Sequence, residues 1–279
     1  MKRMAHVIII ALVFLLAQGS SLAKSTPHKS GETIKGVQAE GACAIVGMSA
    51  EQSQLTALQR ARAAAIEQAA GVSVTSSTLV TNFAVAADFI KTYARGFIVR
   101  EKVTWLPLGQ YQNDASVAPI PEYRVRITAD VYVPQKTKVS VGLKAKLNNT
   151  VFRSGEKAKF SLKAAKSARF AVFNIMADDR VAMIFPNIHE LDNLITPGRE
   201  MTFPAKDANI ELEVQTLPGH QRDAEAYLIV VWDSASDIKI MDLFPETEPL
   251  GVSDFFGKLA EIAESIEDTI LPYEVVGER

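Results

Sequence analysis

The sequence predicts an α+β fold: an N-terminal α+β module, then an all-β, sandwich-like domain with a C-terminal helix. Three observations lead to this prediction. An Ala-rich stretch over 49–70 has helical spacing of apolar residues and lies between stretches with strand character. From about residue 157, short alternating or apolar runs are separated by turn residues, as in β-sandwiches. Beyond residue 253, helical spacing returns.

The composition excludes several classes of protein. The chain has 279 residues, of which 48% are apolar and 22% are charged, so collagen-like, wholly disordered and disulfide-dense chains are excluded. The net charge of −2 gives no general attraction to nucleic acid or to acidic lipid. Residues 134–169 have ten basic residues against one acidic residue, and 233–279 have twelve acidic residues against three basic ones. These segments either form solvated faces or attract each other.

Residues 1–23 have the parts of a secretory signal peptide. Lys2 and Arg3 are followed by an uninterrupted apolar run over 7–17 and by a small-residue cleavage site ending at Ala23. This run spans only about 16 Å as a helix, against a hydrocarbon core of about 30 Å. We therefore expect cleavage after Ala23, a periplasmic location and no stable membrane insertion afterwards. Association with the outer membrane stays open.

Cys43 is the only cysteine, so it has no partner for an internal disulfide. It lies in a run of small and apolar residues over 41–46. This environment predicts a buried, inert thiol, and an intermolecular disulfide is the alternative.

The first module is predicted to span 36–135, after a polar linker over 24–35. A strand over 37–46 leads to a helix that ends near residue 70. Ser49 is its N-cap, Gln52 completes a capping box, and Gly71 is a suitable C-terminal residue. Further predictions are an extended segment over 72–80, a short helix over 84–93, and strands over 97–105 and 123–133 joined by an excursion over 107–121.

Framework residues of this module carry a family resemblance. They are Val37, Ala39, Gly41, Ala61, Arg62, Ala63, Ala65, Ile66, Glu67, Ala69, Gly96, Phe97, Ile98, Tyr123, Val125, Ile127, Ala129 and Val131. The pattern resembles the N-terminal domain of the flagellar assembly protein T family and related exported lipoproteins. The resemblance implies an envelope module of α+β fold and no particular reaction.

The second module is predicted to span 136–279, beginning after the polar joint at 134–138. In the stretch 157–164, apolar residues alternate with Lys157, Lys159, Ser161 and Lys163, which predicts a half-buried strand with lysines outward. Lys157, Lys159 and Lys163 are thus candidate binding residues for an anionic glycan or lipid headgroup. The alternative is that they provide solubility and protect a sheet edge.

Strands are also predicted over 169–176, 181–185, 207–214 and 227–232. The residues of the second resemblance are Phe152, Ser154, Gly155, Glu156, Lys157, Lys159, Ser161, Ala168, Arg169, Phe170, Val172, Phe173, Asn174, Val181, Met183, Ile184, Phe185, Pro186 and Asn187. They resemble the DUF4384 family, and later matches include Pro197, Gly198 and the apolar stretch 226–231. The resemblance implies a β-sandwich accessory domain without a known reaction.

One loop contains candidate catalytic residues. His189, Glu190 and Asp192 supply three possible metal ligands or acid–base groups within four residues, and His220, Asp223 and Glu225 repeat the residue types. Neither set has the spacing of a metal-binding motif, and no Gly-x-Ser-x-Gly nucleophile motif is present. We therefore predict no metal and no cofactor.

The C-terminal segment has Ser253 as a possible N-cap, followed by an apolar stripe of helical spacing up to Ile270. Pro272 is predicted to end this amphipathic helix. The stripe either packs on its own domain or binds a partner.

The function predicted from the sequence is a non-enzymatic role as a binding or assembly accessory protein of the cell envelope. The expected partners are other envelope proteins and not nucleic acid. One alternative is a hydrolase or metal-dependent enzyme using His189, Glu190 and Asp192. Another is a structural component of an envelope machine such as the flagellar basal body.

Overall fold

A computed structural model describes residues 31–71, 92, 96–112, 114–134, 140–208, 210–244 and 248–277. The predicted signal peptide, the extended segment 72–80 and nearly all of the helix predicted over 84–93 lie outside these residues, as does 135–138 of the predicted joint. Within them, strands predominate and helices are few, as predicted. No described helix is both long enough and apolar enough to cross a bilayer.

The strands and helices follow the chain in an order that begins β1, α1, β2. The strands are β1 (Glu32–Ala44), β2 (Phe97–Trp105), β3 (Gly109–Tyr111), β4 (Ile120–Val133), β5 (Lys144–Leu147), β6 (Val151–Arg153), β7 (Lys157–Ala158), β8 (Phe160–Lys163), β9 (Ala168–Ile175), β10 (Arg180–Phe185), β11 (Leu194–Ile195), β12 (Met201–Phe203), β13 (Leu212–Glu213), β14 (Arg222–Asp233), β15 (Leu250–Gly251) and β16 (Glu267–Val276). The helices are α1 (Ala50–Ala69), α2 (Ile240–Leu243) and α3 (Val252–Ala260), and a 3-10 turn covers Ala263–Ser265.

The first sheet has the order β1-β4-β2, with β3 beside β4, and its ladders are antiparallel. The strand predicted over 123–133 is confirmed as part of β4, in which Val125, Ile127 and Val131 are fully buried. The predicted linker 24–35 is wrong at its end, because β1 already begins at Glu32. The ladder of β1 with β4 shifts register between Ile34 and Val37, and this irregularity explains why the alternation becomes visible only from residue 37.

Helix α1 packs across the first sheet through small side chains. Its predicted capping box is confirmed: the Ser49 hydroxyl accepts from the Gln52 backbone N–H, and the Gln52 side chain accepts from the Ser49 N–H. Ala57 and Ala61 are fully buried, facing Gly41 of β1. A Cβ on Gly41 would lie 2.0 Å from the Ala57 carbonyl oxygen, so only glycine permits this close approach.

The thiol of Cys43 is free and buried at the inner side of β1, as predicted. Its burial raises its pKa, and the Arg60 guanidinium partly opposes that effect. Because the thiolate is the reactive form of cysteine, the raised pKa makes this thiol less reactive.

The large sheet of the second half has the order β15-β10-β9-β14-β16-β6, with β11 beside β9. Its two faces pack against different layers. Phe173 of β9 belongs to the hydrophobic cluster that contains α3 and the first sheet, whereas the neighbouring Val172 belongs to the cluster beneath β8. Two small sheets, β12-β8-β5 and β13-β7, cover that second face.

A helix is present in the predicted C-terminal segment, but both of its predicted ends are wrong. Its N-cap is Gly251, and the predicted cap Ser253 lies inside the first turn without a capping hydrogen bond. Helix α3 stops at Ala260, and the chain then forms β16, which pairs with β14 over ten residues. Pro272 lies within β16 opposite Ala226. The ladder with β6 involves only 274–276, so Pro272 lies where β16 pairs with β14 alone, a position compatible with proline.

An acidic residue of β16 holds the start of the second half in place. The Glu267 carboxylate accepts hydrogen bonds from the backbone N–H groups of Val141, Gly142 and Leu143, at 2.7, 3.1 and 3.1 Å. The acidic and basic segments of the sequence therefore do meet, through backbone amides at this point.

Candidate functional site

The lysines predicted from the sequence lie on and beside β8. Phe160 and Leu162 of β8 point into the core and are buried, whereas Lys163 is exposed. Lys159 is also exposed, at the break between β7 and β8. Its carbonyl oxygen accepts from the Asn148 backbone N–H, and its own N–H donates to the Asn148 side-chain oxygen. The predicted alternation of buried apolar residues and outward lysines is confirmed.

Two further lysines come from the neighbouring strand β5. In the antiparallel ladder of β5 and β8, Lys144 lies opposite Lys163 and Lys146 opposite Ser161. Residues directly opposite each other project to the same side of a sheet, and Lys144 and Lys146 are exposed. We refer to Lys144, Lys146, Lys159 and Lys163 as the lysine face. The sequence analysis missed the two lysines of β5 because register, not spacing, brings them to this face.

Lys157 does not contribute free charge to this face. Its ammonium group lies 2.6 Å from a carboxylate oxygen of Glu211, and both side chains are about half exposed or more, at 49% and 66%. Among the described residues, no carboxylate oxygen lies within 4.0 Å of the ammonium groups of the lysine face. Like charges directly opposite in a ladder are unfavourable by a few tenths of a kcal/mol, and Lys144 and Lys163 form such a pair.

A second polar cluster lies at the junction between the two halves of the chain. Arg62 of α1 is only 4% exposed, and its guanidinium pairs with both carboxylate oxygens of Glu101, at 2.6 and 3.0 Å. Its other terminal nitrogen lies 2.5 Å from Asp179. The Ser253 hydroxyl donates to Glu101 at 2.9 Å. The cluster thus connects α1 and β2 with the β9–β10 turn and α3.

Asp179 shows how strongly this junction is buried. Burial raises the pKa of its carboxyl, and the neighbouring Arg62 guanidinium partly offsets that effect. Its backbone has a φ of 67°, in the left-handed region that aspartate tolerates better than most residues. A cavity of about 450 Å³ opens beside the cluster. Because the charged groups are already paired with each other, the cluster acts as a structural connection.

The loop with the predicted catalytic residues is organised by turn chemistry. The Asn187 side chain accepts from the backbone N–H groups of His189 and Glu190, both at 2.9 Å, and Asp192 accepts from the Leu194 N–H at 3.3 Å. His189 and Asp192 are exposed, and Glu190 is half-buried. No group of three His, Cys, Asp or Glu side chains in the described ranges is placed to hold a metal ion. The hydrolase alternative stays a prediction.

The second set of candidate ligands is divided between two separate contacts. His220 Nδ1 lies 2.7 Å from Asp223, whose other carboxylate oxygen accepts from the Leu217 N–H at 2.6 Å. Glu225 instead contacts the Tyr273 hydroxyl at 2.6 Å and the Asn174 amide at 3.1 Å. Burial raises the pKa of Glu225. Tyr273 and Asn174 could not be assigned to this group from spacing, because their strands are adjacent to β14 only in the folded sheet.

Comparisons with known proteins bear on part of the chain. Residues 151–245 match the model of a family described as a domain of unknown function, DUF4384. No curated protein matches the chain. Strand β8 lies inside the matched range, whereas β5, α3 and β16 lie outside it. The predicted resemblance of the second module to DUF4384 is confirmed, and that of the first module to the flagellar assembly protein T family stays a prediction.

Proposed function

We propose that this protein is a non-enzymatic accessory protein of the cell envelope that is exported and captures a partner through the lysine face. In this proposal, an α+β module at 36–135 precedes a sandwich-like domain at 136–279. The lysine face is the observation that carries the proposal. Lys144 and Lys163 lie directly opposite each other at some cost in stability, and an acidic partner would remove that cost.

The arrangement of the other polar groups also supports binding over catalysis. Catalysis requires convergent groups that are free to act on a substrate. The Arg62 guanidinium, Glu101 and Asp179 are instead engaged in ion pairs with each other at the junction. Asn187 and Asp192 are engaged in hydrogen bonds with the backbone of their own loop.

The proposal can be tested by crosslinking in living cells. A photoactivatable residue at Ser161, in the centre of the lysine face, should yield specific adducts in the envelope fraction. The same residue at Thr128, on the exposed outer side of β4, serves as the control position. Equal adduct patterns from both positions would contradict a binding role for the lysine face.

A second experiment addresses the hydrolase alternative. The variant in which His189, Glu190 and Asp192 are all replaced by alanine should complement a deletion strain fully, because the proposal assigns these residues no chemistry. If this variant is folded but behaves like the deletion, the enzyme hypothesis takes the place of the binding hypothesis.

A further inference from the structure

The shape of the lysine face is that of a flat array. Alternate residues of one strand lie about 6.8 Å apart, and neighbouring strands about 4.8 Å apart. Lys144 and Lys146 on β5 and Lys159 and Lys163 on and beside β8 therefore form a planar set of cations. None of these four residues lines a described cavity. A flat array of this kind fits an extended anionic surface.

The type of cation favours diffuse recognition. Arginine binds phosphate and carboxylate through a rigid, bidentate fork, whereas lysine is a point charge on a flexible stem. All four members of the face are lysines. Their ammonium groups can adjust to anions whose positions vary, as the phosphates of a fluid lipid surface do.

Two described acidic residues lie beside this face without forming ion pairs with its lysines. Glu200 directly precedes Met201, which pairs with Leu162 of β8, and the Glu267 carboxylate is engaged by the backbone N–H groups before β5. Helix α3, with exposed Asp254 and with exposed Glu261 directly after its end, packs on the opposite face of the large sheet from β8. Two layers of about 10 Å each therefore separate these acids from the lysine face. That distance exceeds the Debye length of about 8 Å at physiological salt. A surface approached by the lysines experiences little repulsion from the acidic side.

We propose that the lysine face docks the protein peripherally on the anionic phospholipid headgroups of a bilayer. This inference rests on the proposed function and names the partner of the same site. In this docking mode the lysine ammonium groups meet the headgroups, and the attachment is electrostatic. Each lysine near an anionic lipid surface raises partitioning roughly fivefold, so the four together give strong but salt-sensitive binding.

The test uses the exported protein purified from cells and vesicles of two compositions: pure phosphatidylcholine, and phosphatidylcholine with about 30% phosphatidylglycerol. We expect cosedimentation with the anionic vesicles alone, and release when the salt is raised to about 0.5 M, where screening is much stronger. Equal binding to both vesicle types, or no binding to either, would overturn lipid docking.

The variant Lys144→Glu separates binding from folding. It changes the charge by two units and should lower partitioning into anionic vesicles roughly 25-fold. Because it places opposite charges across the ladder at Lys163, it should leave the melting temperature unchanged or raise it. Lys102→Glu makes the same charge change at an exposed position of β2 and should bind like the unaltered protein. Equal losses for both variants would mean that net charge, and not this face, governs binding.

The outcomes also distinguish this inference from the function on which it rests. Suppose that Lys144→Glu abolishes the crosslinked protein adducts from Ser161 and that the unaltered protein does not bind anionic vesicles. Lipid docking is then refuted, and an acidic protein partner is supported. If neither vesicle binding nor crosslinking responds to Lys144→Glu, both proposals fail.

Discussion

At the residue scale, Glu225 of β14 is a buried carboxyl outside the junction. Its carboxylate and the Asn174 side-chain oxygen both lie within hydrogen-bond distance of the Tyr273 hydroxyl, at 2.6 and 2.9 Å. A hydroxyl has one proton to donate, so it cannot donate to both oxygens. A proton on Glu225 would satisfy both contacts, because Glu225 would then donate to the Tyr273 oxygen while Tyr273 donates to Asn174. Hydrogen bonds from Tyr273, Asn174 and the Ala177 N–H to the ionised carboxylate act in the opposite direction and lower the pKa of Glu225. Burial has the larger effect and raises the pKa of Glu225, which favours its protonated form.

The first prediction follows from this raised pKa. A carboxyl with a higher pKa in the folded chain stabilises the fold below its unfolded pKa of about 4.3, and this contribution is lost as pH rises through the folded pKa. The free energy of unfolding of Glu225→Gln should therefore rise relative to the unaltered protein between about pH 5 and pH 8. Denaturant titrations at several pH values measure this difference.

The control for this prediction is Glu213→Gln, which alters an exposed carboxyl on β13. Its stability difference from the unaltered protein should stay nearly constant over the same pH range. A Glu225→Gln difference that is constant, or that grows toward acidic pH, would contradict the assignment of a raised pKa to Glu225.

A second prediction at this scale concerns Gly41. In Gly41→Ala the new Cβ would lie 2.0 Å from the Ala57 carbonyl oxygen and 2.5 Å from the Ala61 nitrogen. Both atoms belong to the backbone of α1, so the helix must move, and we expect a loss of about 3 kcal/mol or more. Gly251→Ala is the matched control, because its nearest neighbour would be 3.7 Å away. Similar melting temperatures for the two variants would contradict the close crossing of α1 and β1.

At the element scale, strong local signals were sufficient for some predictions. Ser49 and Gln52 predict where α1 begins, and Gly71, with a φ of 69°, marks the residue beyond its end. The structure of the chain after Ala260 could not be predicted from local signals alone. Apolar residues at helical spacing continue past Ala260, but pairing of 267–276 with β14 prevails over that pattern. Such long-range pairing has no signature in a single window of sequence.

The third prediction concerns helix α3. Leu259 is 1% exposed and packs into the cluster shared with the first sheet. Leu259→Asp would bury an unpaired carboxylate there, so the free energy of unfolding should fall by about 3 kcal/mol or more. Ser265→Asp introduces the same group at an exposed position and should cost less than about 0.5 kcal/mol. Equal effects of the two variants in denaturant unfolding would mean that α3 is not packed as described.

At the scale of the whole molecule, the two halves of the chain share one hydrophobic cluster. Phe256 of α3 stacks on Phe97 of β2, with ring centroids 5.3 Å apart. Arg62 joins Asp179 across the same boundary. The polar composition of 134–138 predicts a joint between modules, and the division at 135/136 stays a prediction. The sequence could not show the shared core, because the residues that contact each other across the boundary are more than a hundred positions apart in the chain.

The shared cluster leads to the last prediction, which concerns a chain cut between its halves. A protease site introduced between Pro134 and Ser140 allows the folded protein to be cleaved at the predicted joint. Because burying Phe97, Phe256 and Leu259 at the boundary stabilises each half, the two pieces should stay together in gel filtration. They should also unfold in one thermal transition whose midpoint rises with protein concentration, as for any associated pair.

The same cleavage in a chain carrying Phe256→Asp provides the control. An aspartate at this position breaks the stack with Phe97 and would bury a charge between the halves. The cut variant should therefore separate into two species, while the cut chain without this substitution does not. If the pieces of the cut chain without the substitution also separate and unfold in two independent transitions, the halves are autonomous domains. The shared cluster would then contribute little to holding them together.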